Sequence, residues 1–564
     1  LGQRDHELTF PVVSDLVRAV YGLIRVTHGT ALSTYPADLY WVAARAIGDE
    51  PVAPVTEFPY WSFLYGDLHP HLIALPYTLC VIALLVAWAR GGSGYNRGGL
   101  TWLLGLTLGF FWPTNAWDWP TYGAITGLVI FLSAWTRGGS TLSTLPRALV
   151  KSVAVFLVIL GLGYLAFLPF RHSYVAGYGS FERWTGHRTS LRDYGFIYGL
   201  FLFVLGSGWA VTRSWRTPGA ARGLRLWWRA IRVFLAGNLA GARRFVRLGW
   251  LRPSSMGGGL LAVAIVLLAG GALLTGSLPP LLIAGIALSA GATWSRRRDP
   301  VRAIPALLTL VGFGLSLFVE FVVLVGDIGR MNTVFKFYYQ VWVCFGLAAA
   351  FALPELLAAG RKWRAAIKWS WATAFVALLV AASLYPLLGT PAKIRDRFVE
   401  TPLTLDGLRF AENARYSMEE KEFSLAPDLH AIRWLQDNVP GSPVILEMNT
   451  GDRLYSWGSR YAIHTGLPSV VGWSWHQRQQ QAGLARSRVE ERIADVQTIY
   501  RTPDVEQARA LMAKYGVHLV VVGKLERIYG TPEGVEKFSR MGLKKIYDRD
   551  EVQIYETPDV ARAR

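Results

Sequence analysis

Long apolar runs separated by short polar breaks fill the first two thirds of the chain, and the pattern changes near residue 389. Windows of about 20 residues almost free of charge have the length needed to cross a bilayer. Ten such spans are predicted, at 68–90, 98–112, 117–136, 147–169, 194–213, 257–275, 278–294, 303–326, 333–359 and 366–388. The pair 98–112 and 117–136 is short and interrupted by Gly and Pro. Ahead of these runs, "FPVVSDLVRAVYGLIRV" (10–26) and "PADLYWVAARAI" (36–47) have the amphipathic spacing of helices lying along an interface. Beyond 389 no long apolar run remains. There "APDLHAIRWLQDNV" (426–439) reads as a helix and "SPVILEM" (442–448) as a strand; helix then strand recurs over 504–523, and 544–557 reads as a closing hairpin with Asp-Arg-Asp in the turn. The expected fold is an α-helical polytopic membrane protein of about ten transmembrane helices with a C-terminal soluble α/β domain. Its parts are an outer-face segment at 1–67, a bundle at 68–389 and an extracytoplasmic domain at 390–564.

Charge orients this bundle. Of a net charge of +19, the loops 89–98, 136–151, 213–253, 295–302 and 360–368 hold 23 Lys and Arg and a single acid, Asp299. The alternate connections carry the acids instead: Asp38, Asp49, Glu50, Glu57, Asp67, Asp118, Glu182, Asp193 and Asp327. The positive-inside rule places the Arg-rich loops in the cytoplasm of an integral plasma membrane protein, with the N-terminal segment and the C-terminal domain outside. Anionic lipid headgroups account for the basic charge, and nucleic acid is not needed to explain it. Within the long basic loop, 225–250 interleaves Arg with Trp, Leu and Phe, as an interfacial helix does. The two cysteines, Cys80 and Cys344, fall inside expected spans and read as packing residues.

Four motifs concentrate the remaining chemistry on the expected outer side. The first, "EFPYWSFLYGDLHPHLIALPY" (57–77), sets Glu57, Asp67, His69 and His71 at the mouth of a span. Ionisable residues at that depth are costly and mark a candidate catalytic group. Asp67, His69 and His71 alternate in sequence, which in a turn puts them on one side, as acid–base partners or as ligands to a divalent metal ion. The simpler alternative is a helix cap with interfacial hydrogen bonds. The second, "FFWPTNAWDWPTY" (110–122), offers Asn115 and Asp118 among Trp rings that suit either a membrane belt or a sugar. The third, "FVEFVVLVGDIGRMNTVFKFYYQVW" (318–342), offers Asp327, Arg330 and Lys336, with Glu320 behind them. With Arg171, these cations suit a phosphate, and an intramembrane ion pair is the alternative. The fourth, "YSWGSRYAIHTGLPSVVGWSWHQRQQ" (455–480), gathers Arg460, His464, Trp473, His476 and Arg478 in a candidate acceptor-binding loop.

At these four motifs the chain resembles the YYY family of polytopic membrane proteins, a domain of unknown function grouped with the GT-C membrane glycosyltransferases. The resemblance implies a many-span bundle, interfacial helices in the first outer loop and transfer of a sugar from a polyprenyl-phosphate carrier with inversion. It also implies further spans and an acidic stretch ahead of residue 1. The base expected from motif content is Asp67, with His69 or His71 orienting it; the alternative the resemblance opens is an acid ahead of residue 1, in a missing N-terminal half or partner chain that completes the bundle. Two rival readings follow from the same residues. A lipid or solute transporter or flippase would also use Glu320 and Lys336 within the bundle, although no two-fold repeat is visible. A non-catalytic subunit of a split envelope complex is the other.

Overall fold

In a computed structural model the chain is described over residues 36–48, 50, 52–66, 68–91, 96–174, 180–211, 232, 267–451, 453, 456–480 and 485–558. The interfacial helix expected at 10–26, nearly all of the basic stretch 225–250, the start of the expected span 257–275 and Asp67 lie outside these residues. The described residues form two compact units that divide between Asp396 and Arg397. The last expected span, 366–388, runs on as one helix from Ala365 to Arg397.

The first unit is helical. Helices Pro70–Arg90, Arg97–Thr114, Asp118–Arg137, Leu145–Ala166, Leu191–Val211, Leu278–Ser295, Pro300–Val319, Met331–Gly360 and Ala365–Arg397 fall on nine of the expected spans. Among the described residues, six helices are long and apolar enough to cross a membrane. Arg97–Thr114, Asp118–Arg137 and Leu191–Val211 are not among them. Gly, Trp, Thr and Pro dilute the first two, and the third is described only to Val211. The membrane character expected of the chain therefore holds for a mostly helical unit with six such helices.

Two local features shape the bundle. On helices Arg97–Thr114 and Leu145–Ala166 the backbones meet at glycines. A Cβ added at Gly109 would lie 2.7 Å from the Cα of Gly163, and one added at Gly105 would lie 2.8 Å from Leu162. Only glycine permits that approach, as at small-residue crossings in membranes. The expected span 303–326, by contrast, is helical only from Pro300 to Val319. Its tail, Val322–Leu324, is a strand paired antiparallel with Phe181–Arg183, Glu182 facing Val323. β-branched residues favour that pairing, and Glu320 just before it is drawn into a buried ion-pair cluster.

Because successive helices run up and down, the segments 57–71, 114–118, 181–189 and 319–340 gather at one end of the unit. Gln340 donates to the Trp117 carbonyl there (3.0 Å). The segments 89–97, 133–137 and 297–302 gather at the other, where Thr136 donates to the Arg297 carbonyl (2.7 Å).

The second unit is α/β. Its four-stranded sheet runs in the order Val444–Leu446, Val517–Val522, Val552–Glu556, Lys544–Arg549. The first pair is parallel and the others are antiparallel. Helices Ala426–Asn438, Arg486–Arg501 and Val505–Lys514 supply apolar faces, including Ile432, Val496 and Ala508, to its cores. The closing hairpin is present, but Asp548 and Arg549 belong to its strand. The turn is Asp550-Glu551, both at positive φ (51° and 68°), the geometry of a tight primed turn.

Candidate functional site

The end of the first unit that carries residues 57–71, 114–118 and 319–340 holds three charge clusters of different kinds. The most closed surrounds Arg330, whose side chain is fully buried. Its Nε donates to Glu50 Oε1 (2.7 Å), one terminal nitrogen to Glu320 Oε1 (2.9 Å) and the Val319 carbonyl (3.1 Å), and the other to Thr189 Oγ1 (3.1 Å). Glu320 in turn accepts from the Thr189 amide (3.0 Å) and hydroxyl (2.6 Å). Burial opposes the charge on Arg330, but Glu320 and Glu50 outweigh it and hold the guanidinium protonated. The donor fork is matched to its acceptors, so this arginine ties the loop at Glu50, the segment at Thr189 and the start of the Met331–Gly360 helix together. Asp327 is equally committed. Its two oxygens accept from the amides of Ile328, Asn332 and Thr333 and from the side chains of Asn332 and Thr333, which fastens the first turn of that helix.

The second cluster joins the opening motif to the same helix. His71 Nε2 lies 3.1 Å from Glu57 Oε2. The Ser62 hydroxyl donates to that oxygen (3.0 Å) and lies 3.2 Å from His71 Nε2. Pro70 at the first helical position fixes the start of the helix, and His71 follows it inward. The rings of Phe335 and Tyr339, one turn apart, each stand 4.6 Å from the His71 ring. His69 packs 5.0 Å from His71 and 5.4 Å from Phe335.

The third cluster is buried but lightly paired. Asp118 begins the Asp118–Arg137 helix and is 4% exposed, beside Asn115 at 6%. Asn115 and Lys336 are its polar neighbours within electrostatic reach. Lys336 is largely buried and stands 5.7 Å over the Trp117 ring. Asp327 and Asp118 both act on its charge. Neither Asp118 nor Lys336 has an ion pair among the described residues. Position explains the geometry: residues 336, 339 and 340 share a helix face. Gln340 pins the Trp117 carbonyl, Lys336 reaches the Trp117 face, and Tyr339 lies within electrostatic reach of both Glu57 and Asp118. The second and third clusters are therefore neighbours across one turn of helix.

The other expected residues go elsewhere. Arg171 lies between the rings of Trp112 (4.2 Å) and Tyr164 (4.7 Å), with Trp119 5.4 Å beyond Trp112. In the second unit Arg460 is fully buried. It donates to Asp428 (2.6 Å) and Glu526 (2.9 Å), with Glu447 at 3.9 Å. Burial pushes Glu447 up to about 7, against the pull of Arg460. Burial also works on Glu526, but there Arg460 prevails and holds it below its ordinary value. Arg478 pairs with Glu490 (2.7 Å), and the Trp473 indole donates to the Gly458 carbonyl (3.0 Å) beside His476. His464 is half-buried beside Trp457, and burial lowers it. Much of the fourth motif thus holds its own unit together.

Sequence reasoning missed Ser62 and Thr189, small hydroxyls with no motif of their own, and the role of Tyr339. The spacing of Lys336, Tyr339 and Gln340 was the signal available for the last. Among the described residues no three His, Cys, Asp or Glu converge as a metal-ligand set. His69 and His71 face aromatic rings, and Asp67 lies outside the described residues.

No curated protein matches the chain. Among solved structures it is similar to the archaeal oligosaccharyltransferase AglB from Archaeoglobus fulgidus, determined in complex with an inhibitory peptide and a dolichol-phosphate. The identity is 12% and the TM-score 0.30, over 91% of this chain and 61% of that one. The family model described as "Uncharacterized membrane protein (DUF2298)" matches residues 8–345, and the chain belongs to that family.

Proposed function

We propose that this membrane protein is a glycosyltransferase that moves a sugar from a polyprenyl-phosphate-type lipid to an acceptor hydroxyl. The transfer takes place at the end of the bundle that carries Asp118 and Lys336, which faces outward when the Arg-rich loops lie in the cytoplasm. One observation carries the reading. A buried carboxylate and a largely buried ammonium lie within electrostatic reach beside Trp117, and neither is ion-paired among the described residues. A carboxylate kept from water and from a direct cation suits proton abstraction. An ammonium at a low-dielectric boundary suits a phosphate leaving group.

In this reading the acceptor oxygen attacks the anomeric carbon while Asp118 takes its proton. The bond from that carbon to the phosphate oxygen breaks, its electron pair stays on the phosphate, and Lys336 stabilises the added charge. The Trp117 face packs on the sugar, and Arg171, held between Trp112 and Tyr164, is placed for the lipid end of the donor. Glu57, Ser62 and His71 position Tyr339 and the Lys336 turn. Arg330 and Asp327 act as supports. Asp67 and His69 remain expected contributors from the sequence.

The test uses the full chain reconstituted with a polyprenyl-phosphate carrying a radiolabelled sugar, with release of sugar to water reading the donor half of the reaction. Asp118→Asn and Lys336→Gln are each expected to lower the rate by about 10²–10³-fold. Unchanged rates in both variants would sink the assignment. Movement of labelled lipid between leaflets without sugar release would favour the flippase reading.

A further inference from the structure

At the opposite end of the same helices lies a second site. The Pro70–Arg90 helix has 21 residues, so its ends are about 30 Å apart at 1.5 Å per residue. Where it, Arg97–Thr114, Asp118–Arg137 and Pro300–Val319 meet, an open cavity of about 650 Å³ is lined by Arg90, Arg97, Arg137, Arg298 and Arg302, with Asp299 as the one acid. That acid is already engaged: it pairs with Arg302 (3.3 Å) and caps the next helix by accepting from the Arg302 amide (3.2 Å). Among the described residues the side chains of Arg90, Arg137 and Arg298 have no hydrogen bond or ion pair, and the Arg97 guanidinium has only the Trp88 ring at 5.5 Å. Arg97 and Arg137 are close enough to repel each other.

A rim of membrane-interface arginines is ordinary by itself. Two observations separate this cavity from such a rim. The arginines come from separate helix ends and converge on one concavity, of a size that holds a headgroup. The cavity also reaches Ser133, which is 1% exposed and whose hydroxyl has no hydrogen-bond partner among the described residues. Buried hydroxyls are nearly always satisfied, so an orphan in the wall of a basic cavity points to an absent acceptor.

We propose that this cavity binds a phosphate-bearing anion, with phosphate oxygens on the Arg97–Arg137 pair and one accepting from Ser133. Arginine forks match phosphate geometry, and basic pockets between membrane helices suit anionic lipid headgroups. The same chemistry would hold a soluble diphosphate, and the experiment separates the two sources.

Detergent-purified full chain is examined by native mass spectrometry with phosphatidylglycerol or phosphatidylcholine, and titrated calorimetrically with inorganic pyrophosphate. The expected result is at least about 10-fold preferential retention of phosphatidylglycerol, lost in Arg97→Gln/Arg137→Gln and reduced about 3-fold in Ser133→Ala. Pyrophosphate binding that disappears in the same variants, without a lipid preference, supports the site with a soluble ligand. Equal retention of both lipids with no pyrophosphate binding overturns it, as does a preference untouched by the substitutions. Should the double variant fail to fold, the exposed Arg298→Gln and the conservative Ser133→Ala decide by the same readout.

Discussion

Arg330 and Lys336 stand six residues apart at the start of one helix, yet they are placed in opposite ways. Arg330 is enclosed by Glu50, Glu320, Thr189 and a main-chain carbonyl, with its donors spent on protein acceptors. Lys336 is largely buried against Trp117 without an ion pair among the described residues. Burying a charge without a partner costs several kcal/mol, so a folded chain keeps such a group only where something else repays it. The difference teaches that arginine and lysine in one motif can split between holding the fold and holding a ligand. The second unit repeats the first case at Arg460, where three carboxylates surround one guanidinium.

Breaking the closed clusters should have the largest effects. Arg330→Met leaves Glu320 and Glu50 buried without their cation and is expected to cost about 3–5 kcal/mol, read as loss of the folded monodisperse protein on thermal challenge. Arg460→Met should cost a similar amount, confined to the second unit, with hydrogen exchange rising in 426–465. A variant as stable as the parent at either position would remove the closed half of the comparison.

A smaller effect follows from Glu447. Its value near 7 lies above the ordinary carboxyl value of 4.5, so the folded state retains a proton that the unfolded chain releases between those limits. Stability of the second unit should therefore fall as pH rises from about 4.5 to about 7, by on the order of 3 kcal/mol. Amide exchange over 444–465 in the full chain, corrected for intrinsic rates, should be faster at pH 8 than at pH 5.5. Slower exchange at pH 8 would contradict it. Glu526, held low by Arg460, works the other way below that window.

The smallest effect sharpens the comparison most. Lys336→Gln strands no paired carboxylate and removes an unpaired buried charge, so thermal stability should fall by no more than about 1 kcal/mol, or rise, while sugar release collapses. A loss as large as that of Arg330→Met would show that Lys336 is structural after all.

The helices of the first unit were legible because apolar runs of bilayer length leave little choice of secondary structure. The strand Val322–Leu324 was not, since an apolar stretch of that length reads equally as the tail of a span. In the site, the sequence placed Glu57, His71, Asp118, Arg330 and Lys336 among the candidates, but it could not sort them. Sorting depends on who faces whom across helices. The partner of Arg330 proved to be Glu50, 280 positions away, and the serine beside His71 lies nine positions before it. The fourth motif is ambiguous in sequence, because a buried Arg–carboxylate hub and a binding loop draw on the same residue types.

The glycine notch between Arg97–Thr114 and Leu145–Ala166 bears on how the chain is made. The first of these helices is too dilute in apolar residues to rank among the membrane-crossing six, yet it lies backbone to backbone against one that does. Its stable lodging in lipid then waits on a partner synthesised about 50 residues later. A bulky residue at Gly109 should leave that early segment stranded at the translocon, a defect of biogenesis visible as glycosylation or protease access at an engineered site near residue 115, before any defect of catalysis.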